Sequence, residues 1–98
     1  MYLEVQKQSN EVTILIKNTF DFKIRTEFRN SYKNVPQNMA YVVDLRNVEA
    51  LDSSGIGMLM LLWEHAGSES SNVTLINCRP RIKHLFHAAQ LDKIFHIP

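Results

Sequence analysis

A strand and a helix that both need burial follow one another in the middle of the sequence. Residues 41–45 are apolar apart from one aspartate, and residues 56–63 are apolar apart from one glycine. A segment of the first kind is typical of an enclosed strand, and a helix that is apolar on every side must be largely covered by the rest of the chain. The polar tetrapeptide Asp-Ser-Ser-Gly at 52–55 lies between them. This centre predicts an α/β protein in which two serines lie at the start of a buried helix.

The flanking segments predict the element order β-β-α-β-α-β-α-β. The first elements are a hairpin of residues 1–8 and 12–16 and a helix from Phe22 with Thr19 or Asp21 as its N-cap, which residues 34–40, with Pro36 and Asn38, break. The central strand and helix follow, and then a strand at Val73–Asn77, a helix from Pro80 and a last strand at Ile94–Ile97. Strands that alternate with helices pair in parallel through right-handed crossovers. We therefore expect a single domain over residues 1–98, with a mixed, mostly parallel sheet, an antiparallel N-terminal hairpin at its edge and about three helices.

Charge and composition exclude several classes of function. The formal net charge is +1 and the charges are spread evenly along the chain, which disfavours nucleic acid or an anionic membrane surface as a partner. The longest apolar run, Met58–Trp63, is far shorter than the roughly 20 residues of a membrane span. Cys78 is the only cysteine, and the N-terminus has no signal-peptide pattern. We expect a cytoplasmic protein without membrane insertion.

The sequence offers few groups for catalysis or metal binding. Neither nucleotide-binding glycine fingerprint occurs, and the serines lack the Gly-x-Ser-x-Gly context of a hydrolase. His65 lies ten or more residues along the helix from the serines, which is too far for a general base. His84 and His87 are three residues apart, but no further ligands follow at a recognised spacing. We expect no enzyme, no cofactor and no metal site.

The loop at 52–55 has two interpretations on its residues alone. Asp and Ser side chains accept hydrogen bonds from the free amides of a first helical turn, so the loop is explained by an N-cap, with Gly55 and Gly57 letting the helix start close to the sheet. A serine there is also a suitable phosphorylation target, because the phosphate would meet free amides and the positive end of the helix. Both this loop and residues 17–21 follow strands at the carboxyl edge of the sheet, where sites in α/β folds form.

Three segments carry a resemblance to a known family. The sequence VVDLRNVEALDSSGIGMLMLLWEHA, residues 42–66, closely resembles the central motif of the STAS domain, the fold of the anti-sigma factor antagonists. VTILIKNTFDF, residues 12–22, is similar to the second strand of that family and its Gly-x-Leu-Asp turn. RPRIKHLFHAAQLDKIFHI, residues 79–97, is similar to its last helix and final strand. The resemblance covers nearly the whole chain.

Two positions depart from the family pattern, and both replace a glycine. Asn18 stands where the family usually has glycine before the acidic residue, and Gln90 stands where it has glycine after the last helix. Asparagine tolerates positive φ, so the first change is mild. Glutamine is more costly in that conformation, so we expect the end of the last helix to be rearranged.

The resemblance implies a regulator that acts by partner switching. In antagonists of this kind a serine kinase, which is also the anti-sigma factor, phosphorylates the first serine of the Asp-Ser-Ser-Gly loop, and a serine phosphatase reverses the reaction. The phosphorylation site carried over to this chain is Ser53. The partner-binding residues carried over are Asp21, Asp52, Ser54, Gly55 and Ile56. We expect a monomer or weak dimer, and the alternative is a STAS interaction subunit of a transport or signalling assembly that is not phosphorylated.

Overall fold

The chain folds into one mixed sheet with three α-helices in the described residues, which confirms the predicted fold class. The computed structural model describes residues 2–36 and 39–98. The strands are β1 (Leu3–Lys7), β2 (Glu11–Ile16), β3 (Ala40–Asp44) and β4 (Val73–Ile76), and the helices are α1 (Arg25–Tyr32), α2 (Ser53–His65) and α3 (Pro80–Ala88). Short 3₁₀ turns lie at Phe22–Ile24, Ser68–Ser70 and Leu91–Lys93. None of these helices is long and apolar enough to cross a membrane.

The strand order in the sheet is β1-β2-β3-β4. β1 runs antiparallel to β2, with Leu3 opposite Ile16, so the predicted hairpin at the sheet edge is confirmed. The other two pairs are parallel, with Tyr41 of β3 opposite Val12 of β2 and Val73 of β4. Because parallel strands end at the same edge of a sheet, the loops that follow β2, β3 and β4 lie side by side.

An aromatic row joins α1 to α2 over the sheet. The ring centroids of Phe20 and Phe28 are 5.2 Å apart, and those of Phe28 and Tyr32 are 5.7 Å apart. The Tyr32 ring in turn lies 5.0 Å from the ring of His65, near the end of α2. Edge and tilted contacts of this kind are each worth about 1 kcal/mol beyond the area they bury. The row fixes where α2 lies against α1.

Helix α2 is enclosed less completely than its apolar sequence predicts. Met58, Leu59 and Leu62 are buried, but Leu61 is 52% exposed. Hydropathy alone cannot distinguish a helix that is covered on all sides from one whose outer face stays open, because both have the same composition. The open face of α2 borders α1.

The predicted last strand at Ile94–Ile97 is wrong. The segment forms a single parallel bridge, between His96 and Thr74 of β4. The 3₁₀ turn at Leu91–Lys93 ends only three residues before this bridge, so little chain is left to pair with β4. Pro98 also has no amide N–H that could continue the ladder. α1 ends at Tyr32, just before the segment 34–40 that was predicted to break it, and Asn38 of that segment lies outside the described residues.

The two positions where glycine is replaced behave differently from the expectation. Gln90 adopts φ 61 and ψ 26, and its amide bonds the carbonyl oxygen of His87 at 3.0 Å, so the end of α3 keeps the left-handed geometry and the expected rearrangement is wrong. Asn18 is not among the described residues with positive φ. The chain therefore uses a strained glutamine at one position and ordinary backbone geometry at the other.

Buried Asp44, at the carboxyl end of β3, joins two strand ends. Its carboxylate accepts hydrogen bonds from the Arg46 side chain at 2.6 and 2.9 Å and from the Asn77 amide at 3.2 Å. Burial by itself would raise the pKa of Asp44, but the bonds from Arg46 and Asn77 outweigh it and hold the pKa below its ordinary value. This carboxylate fixes the start of the loop that leads into α2.

Replacing Gln90 with glycine should stabilise the protein. A side chain in the left-handed region costs roughly 1 to 2 kcal/mol, whereas glycine costs about 0.4 to 1 kcal/mol in unfolded-chain entropy, so we expect a net gain of about 0.5 to 1 kcal/mol in the free energy of unfolding. The matched control is Asn18→Gly, which removes no strain and should lose about 0.5 kcal/mol. Urea denaturation of both variants checks this; a gain in Asn18→Gly equal to that in Gln90→Gly would contradict it.

The ion pair of Asp44 should make stability depend on pH in the acid range. A carboxyl whose native pKa lies below its unfolded value contributes stability above the unfolded value, here 3.8, and loses it as the pH falls through the native value. At neutral pH, Asp44→Asn should lower the free energy of unfolding by about 1 to 2 kcal/mol, a figure kept small because exposed Arg46 is screened by water.

The difference between the wild type and Asp44→Asn should therefore shrink below pH 3.8. Denaturant titrations from neutral pH to about pH 3 measure it. Glu49→Gln is the control, since Glu49 is 80% exposed and 3.9 Å from Arg79, and it should cost less than about 0.5 kcal/mol. A difference for Asp44→Asn that is constant over this range would refute the assignment.

Candidate functional site

The two loops predicted to form the site meet at the carboxyl edge of the sheet. Phe20, in the loop after β2, forms a parallel bridge with Leu51, in the loop after β3. The next residue in each loop is an aspartate, Asp21 in one and Asp52 in the other. The structure therefore brings together the two segments that strand topology predicted to be neighbours.

The start of α2 packs directly on the loop after β2 at Gly55. A Cβ atom on Gly55 would lie 2.7 Å from the Phe20 carbonyl oxygen and 2.6 Å from Leu51 Cδ1, which is closer than carbon atoms approach. Gly57, by contrast, has nothing within 4 Å of a Cβ position. Of these two glycines, only Gly55 is required for the close packing of α2 on the two loops.

Both aspartates cap the helical turn that follows them. Asp21 Oδ1 accepts a hydrogen bond from the Lys23 amide at 2.9 Å, and Asp52 Oδ1 accepts one from the Gly55 amide at 3.1 Å. Of the two caps considered for the first helical segment, Asp21 rather than Thr19 has this role. The capping interpretation of the central loop is confirmed, with Asp52 as the cap.

The two serines have different environments. The Ser54 hydroxyl donates to Asp52 Oδ1 at 2.6 Å, and Ser54 is half-buried. Ser53, the first residue of α2, is exposed, and within the described residues its hydroxyl has no hydrogen-bond partner. The bond from Ser54, together with the Gly55 amide, holds the pKa of Asp52 below its ordinary value. An ionised carboxylate therefore lies one residue before an accessible hydroxyl.

The other predicted residues have supporting positions, and one neighbouring feature was missed. Gly55 is buried, and half-buried Ile56 packs against the core. The loop borders an apolar groove of about 410 Å³ against α3, with Arg81 and His84 among its lining residues. The apolar spacing of α3 was readable in the sequence, but which of its side chains stay uncovered depends on the loop packed against it.

His65 and His87 have partners away from the two serines. His65 Nε2 lies 2.8 Å from the Val35 carbonyl oxygen, near the opposite end of α2, so the predicted separation from the serines is confirmed. His87 Nδ1 pairs with Asp92 Oδ2 at 3.0 Å. Within residues 2–36 and 39–98, no group of three His, Cys, Asp or Glu side chains could hold a metal ion.

Comparison with known proteins gives a consistent match over the whole fold. The sequence profile of the family described as "Mlab, STAS domain" matches residues 3–97. A STAS-domain containing protein of Pseudomonas aeruginosa is 42% identical over 88 residues, which are 89% of this chain and 87% of that protein.

Solved structures share the same fold at low sequence identity. A candidate anti-sigma factor antagonist from Thermotoga maritima has a TM-score of 0.83 at 16% identity, over 97% of this chain and 84% of that one. The anti-sigma factor antagonist SpoIIAA in its unphosphorylated form has a TM-score of 0.80 at 14% identity, over 98% and 87% of the two chains. Its phosphorylated form from Bacillus has a TM-score of 0.68 at 15% identity, over 98% and 90%.

Adding one methyl group at Gly55 should destabilise the protein, whereas adding it at Gly57 should not. In Gly55→Ala the new Cβ meets a backbone oxygen, which cannot move aside without shifting the loop, so we expect a loss of about 1 to 3 kcal/mol. In Gly57→Ala the methyl group enters open space on an exposed helical position, so we expect a gain of about 0.5 to 1 kcal/mol. Urea denaturation measures both, and equal stability of the two variants would show that the close approach is absent.

Proposed function

Because the chain belongs to the STAS domain family, we propose that it is a phosphorylatable regulator of the anti-sigma factor antagonist kind that acts by partner switching. In its unmodified form it binds a serine kinase that is also an anti-sigma factor, or an equivalent regulator. Phosphorylation of Ser53 weakens this binding, and a serine phosphatase restores it. It acts in the cytoplasm, as a monomer or weak dimer. The observation that carries the proposal is the exposed Ser53 hydroxyl at the first position of α2, which has no hydrogen-bond partner among the residues that the structure describes.

The different environments of the serines favour Ser53 as the phosphorylated residue. A kinase must reach the hydroxyl oxygen and remove its proton. The Ser54 hydroxyl donates a hydrogen bond to the Asp52 carboxylate. Phosphorylation of Ser54 would remove this bond and place a dianion against that carboxylate. Ser53 is open to solvent, and its hydroxyl makes no hydrogen bond within residues 2–36 and 39–98 that phosphorylation would break. Modification of Ser53 therefore leaves the cap of α2 intact.

Charge supplies the switch. A phosphoserine carries about −1.5 to −2 charges at neutral pH. On Ser53 it adds to the ionised Asp52 carboxylate and lies on the same edge as Asp21. A partner that tolerates two carboxylates would meet strong repulsion and a larger desolvation cost after phosphorylation. Because Ser53 is exposed, a phosphate there changes the surface charge without displacing a buried group.

The partner-binding surface consists of Asp21, Asp52, Ser54, Gly55 and Ile56 around Ser53. The capping bonds of the two aspartates fix the local backbone, so the surface is preorganised and little entropy is lost on binding. The adjacent apolar groove between this loop and α3 offers a place for an apolar side chain of the partner. Such a buried anchor is the usual source of affinity in an interface.

A second candidate function is an interaction subunit of a transport or signalling assembly that is never phosphorylated. The observation in its favour is that the Asp52 cap and the bond from Ser54 already account for the polar side chains of the loop. In that case Ser53 is only the first residue of the helix.

Variants of Ser53 should separate binding from its control. Ser53→Ala should bind the partner with wild-type affinity and resist phosphorylation, while Ser53→Asp should bind at least about tenfold more weakly because it adds charge to an acidic edge. The partner is first captured from lysate of the native host with Ser53→Ala as bait, and the affinities are then measured by calorimetry with the purified partner.

Ser54→Ala is the matched control for the position of the phosphate. Intact-mass analysis after incubation with ATP and the captured kinase should show one added phosphate on the wild type and on Ser54→Ala, and none on Ser53→Ala. Equal partner affinity of Ser53→Ala and Ser53→Asp would sink the switch. Absence of phosphate on wild-type protein purified from its own host would favour the second candidate.

A further inference from the structure

A groove between α1 and the second half of α2 lies apart from the Ser53 loop. Its volume is about 850 Å³, and its lining includes Met58, Leu61 and Glu64 of α2. Leu61 is eight residues from Ser53, which is about 12 Å along the helix. The groove and the Ser53 loop are therefore separate surfaces on one helix.

One wall of this groove carries an unbalanced positive charge. Arg25, Arg29 and Lys33 recur at intervals of four residues, line the groove and are exposed. In the part of the chain that the structure describes, none of the three forms a salt bridge. Glu27, the acidic residue of α1, is turned to β1, where it accepts hydrogen bonds from the amides of Tyr2 and Leu3 at 3.1 to 3.2 Å. Glu27 therefore does not neutralise the cations of the groove.

Exposed apolar side chains lie in the groove and beside it. Leu61 is 52% exposed at the groove, and Phe22, in the 3₁₀ turn before α1, is 62% exposed. The guanidinium carbon of Arg25 lies 4.4 Å from the Phe22 ring centroid, a cation–π contact that holds this arginine at the groove. Buried Phe28 and Tyr32 line the groove from α1, so the surface stands on the rigid core. A cationic row beside an exposed leucine complements a segment that has carboxylates beside an apolar side chain.

We propose that the groove between α1 and α2 docks an acidic amphipathic segment of a protein partner. The carboxylates of the segment pair with Arg25, Arg29 and Lys33, and an apolar side chain packs on Leu61. A protein fits better than nucleic acid or a lipid surface, because the groove has an acid, Glu64, in its opposite wall and the net charge of the chain is only +1. Docking in this groove does not depend on the charge state of Ser53.

A defined peptide tests this inference on the full chain. The probe is a synthetic helix-forming peptide with glutamates along one face and leucines four residues apart, and its control is the same peptide with glutamine for glutamate. Titrated into ¹⁵N-labelled protein, the acidic peptide should shift the amide resonances of α1 and the second half of α2 and leave those of the Ser53 loop in place. The neutral peptide should bind about tenfold more weakly. Failure of the acidic peptide to bind, or shifts centred on another surface, would overturn the proposal.

Variants distinguish a specific groove from general charge attraction. Arg29→Glu combined with Lys33→Glu should weaken peptide binding by about tenfold or more, and Leu61→Ala should weaken it while keeping the charge. Lys7→Glu combined with Lys93→Glu makes the same change in net charge away from the groove and should have less than a twofold effect. Equal losses in the two double variants, in proteins whose spectra remain dispersed, would contradict the proposal.

Two further measurements separate this surface from the others. Ser53→Asp should bind the peptide with unchanged affinity. The test of the groove is therefore independent of whether Ser53 is a phosphorylation switch. A tenfold loss in Ser53→Asp would show that the groove is part of the Ser53 surface. The protein should bind single-stranded RNA and anionic lipid vesicles more weakly than the acidic peptide at the same salt concentration. Tighter binding of either one would refute the proposal of a protein partner.

Discussion

The close approach of α2 to the loop after β2 is the constraint on which the site depends. At Gly55 no Cβ fits, since the Phe20 carbonyl oxygen would lie 2.7 Å from it. This approach, together with the bridge between Phe20 and Leu51, places two capped aspartates on one edge and leaves Ser53 at the surface. A larger side chain at position 55 would push α2 away from the loop after β2, which is the loop that carries Asp21.

Two carboxylates near this edge are kept ionised for different reasons. Asp44 is buried, and its bonds from Arg46 and Asn77 overcome the effect of burial on its pKa. Asp52 is exposed, and bonds from Ser54 and the Gly55 amide lower its pKa. The first stabilises the strand ends, while the second leaves a charge on the surface that a partner would contact. A phosphate beside Asp52 would therefore act on an edge that is already acidic.

Sequence patterns predicted the fold and an N-cap in the loop at 52–55, because these depend on local periodicity and backbone chemistry, while the choice of Asp52 over the serines came from the structure. The prediction for residues 94–97 was wrong because an apolar tail can reach the sheet through one bridge to Thr74 without forming a strand. The prediction for the end of α3 was wrong because the free energy gained by packing the helix exceeds the cost of left-handed backbone geometry at Gln90. Exposure of Leu61 could not be foreseen, since composition does not tell which face of α2 the neighbouring helix leaves open.

Helix α2 therefore presents two surfaces of opposite electrostatic character. Its N-terminal end carries Asp52 and the Ser53 hydroxyl, and its outer face borders the cations of α1. About 12 Å separates Ser53 from Leu61 along the helix, which is longer than the Debye length of roughly 8 Å at physiological salt. A charge added at Ser53 is thus largely screened at the groove. A partner held by the basic groove could stay bound while one that contacts the acidic loop is released.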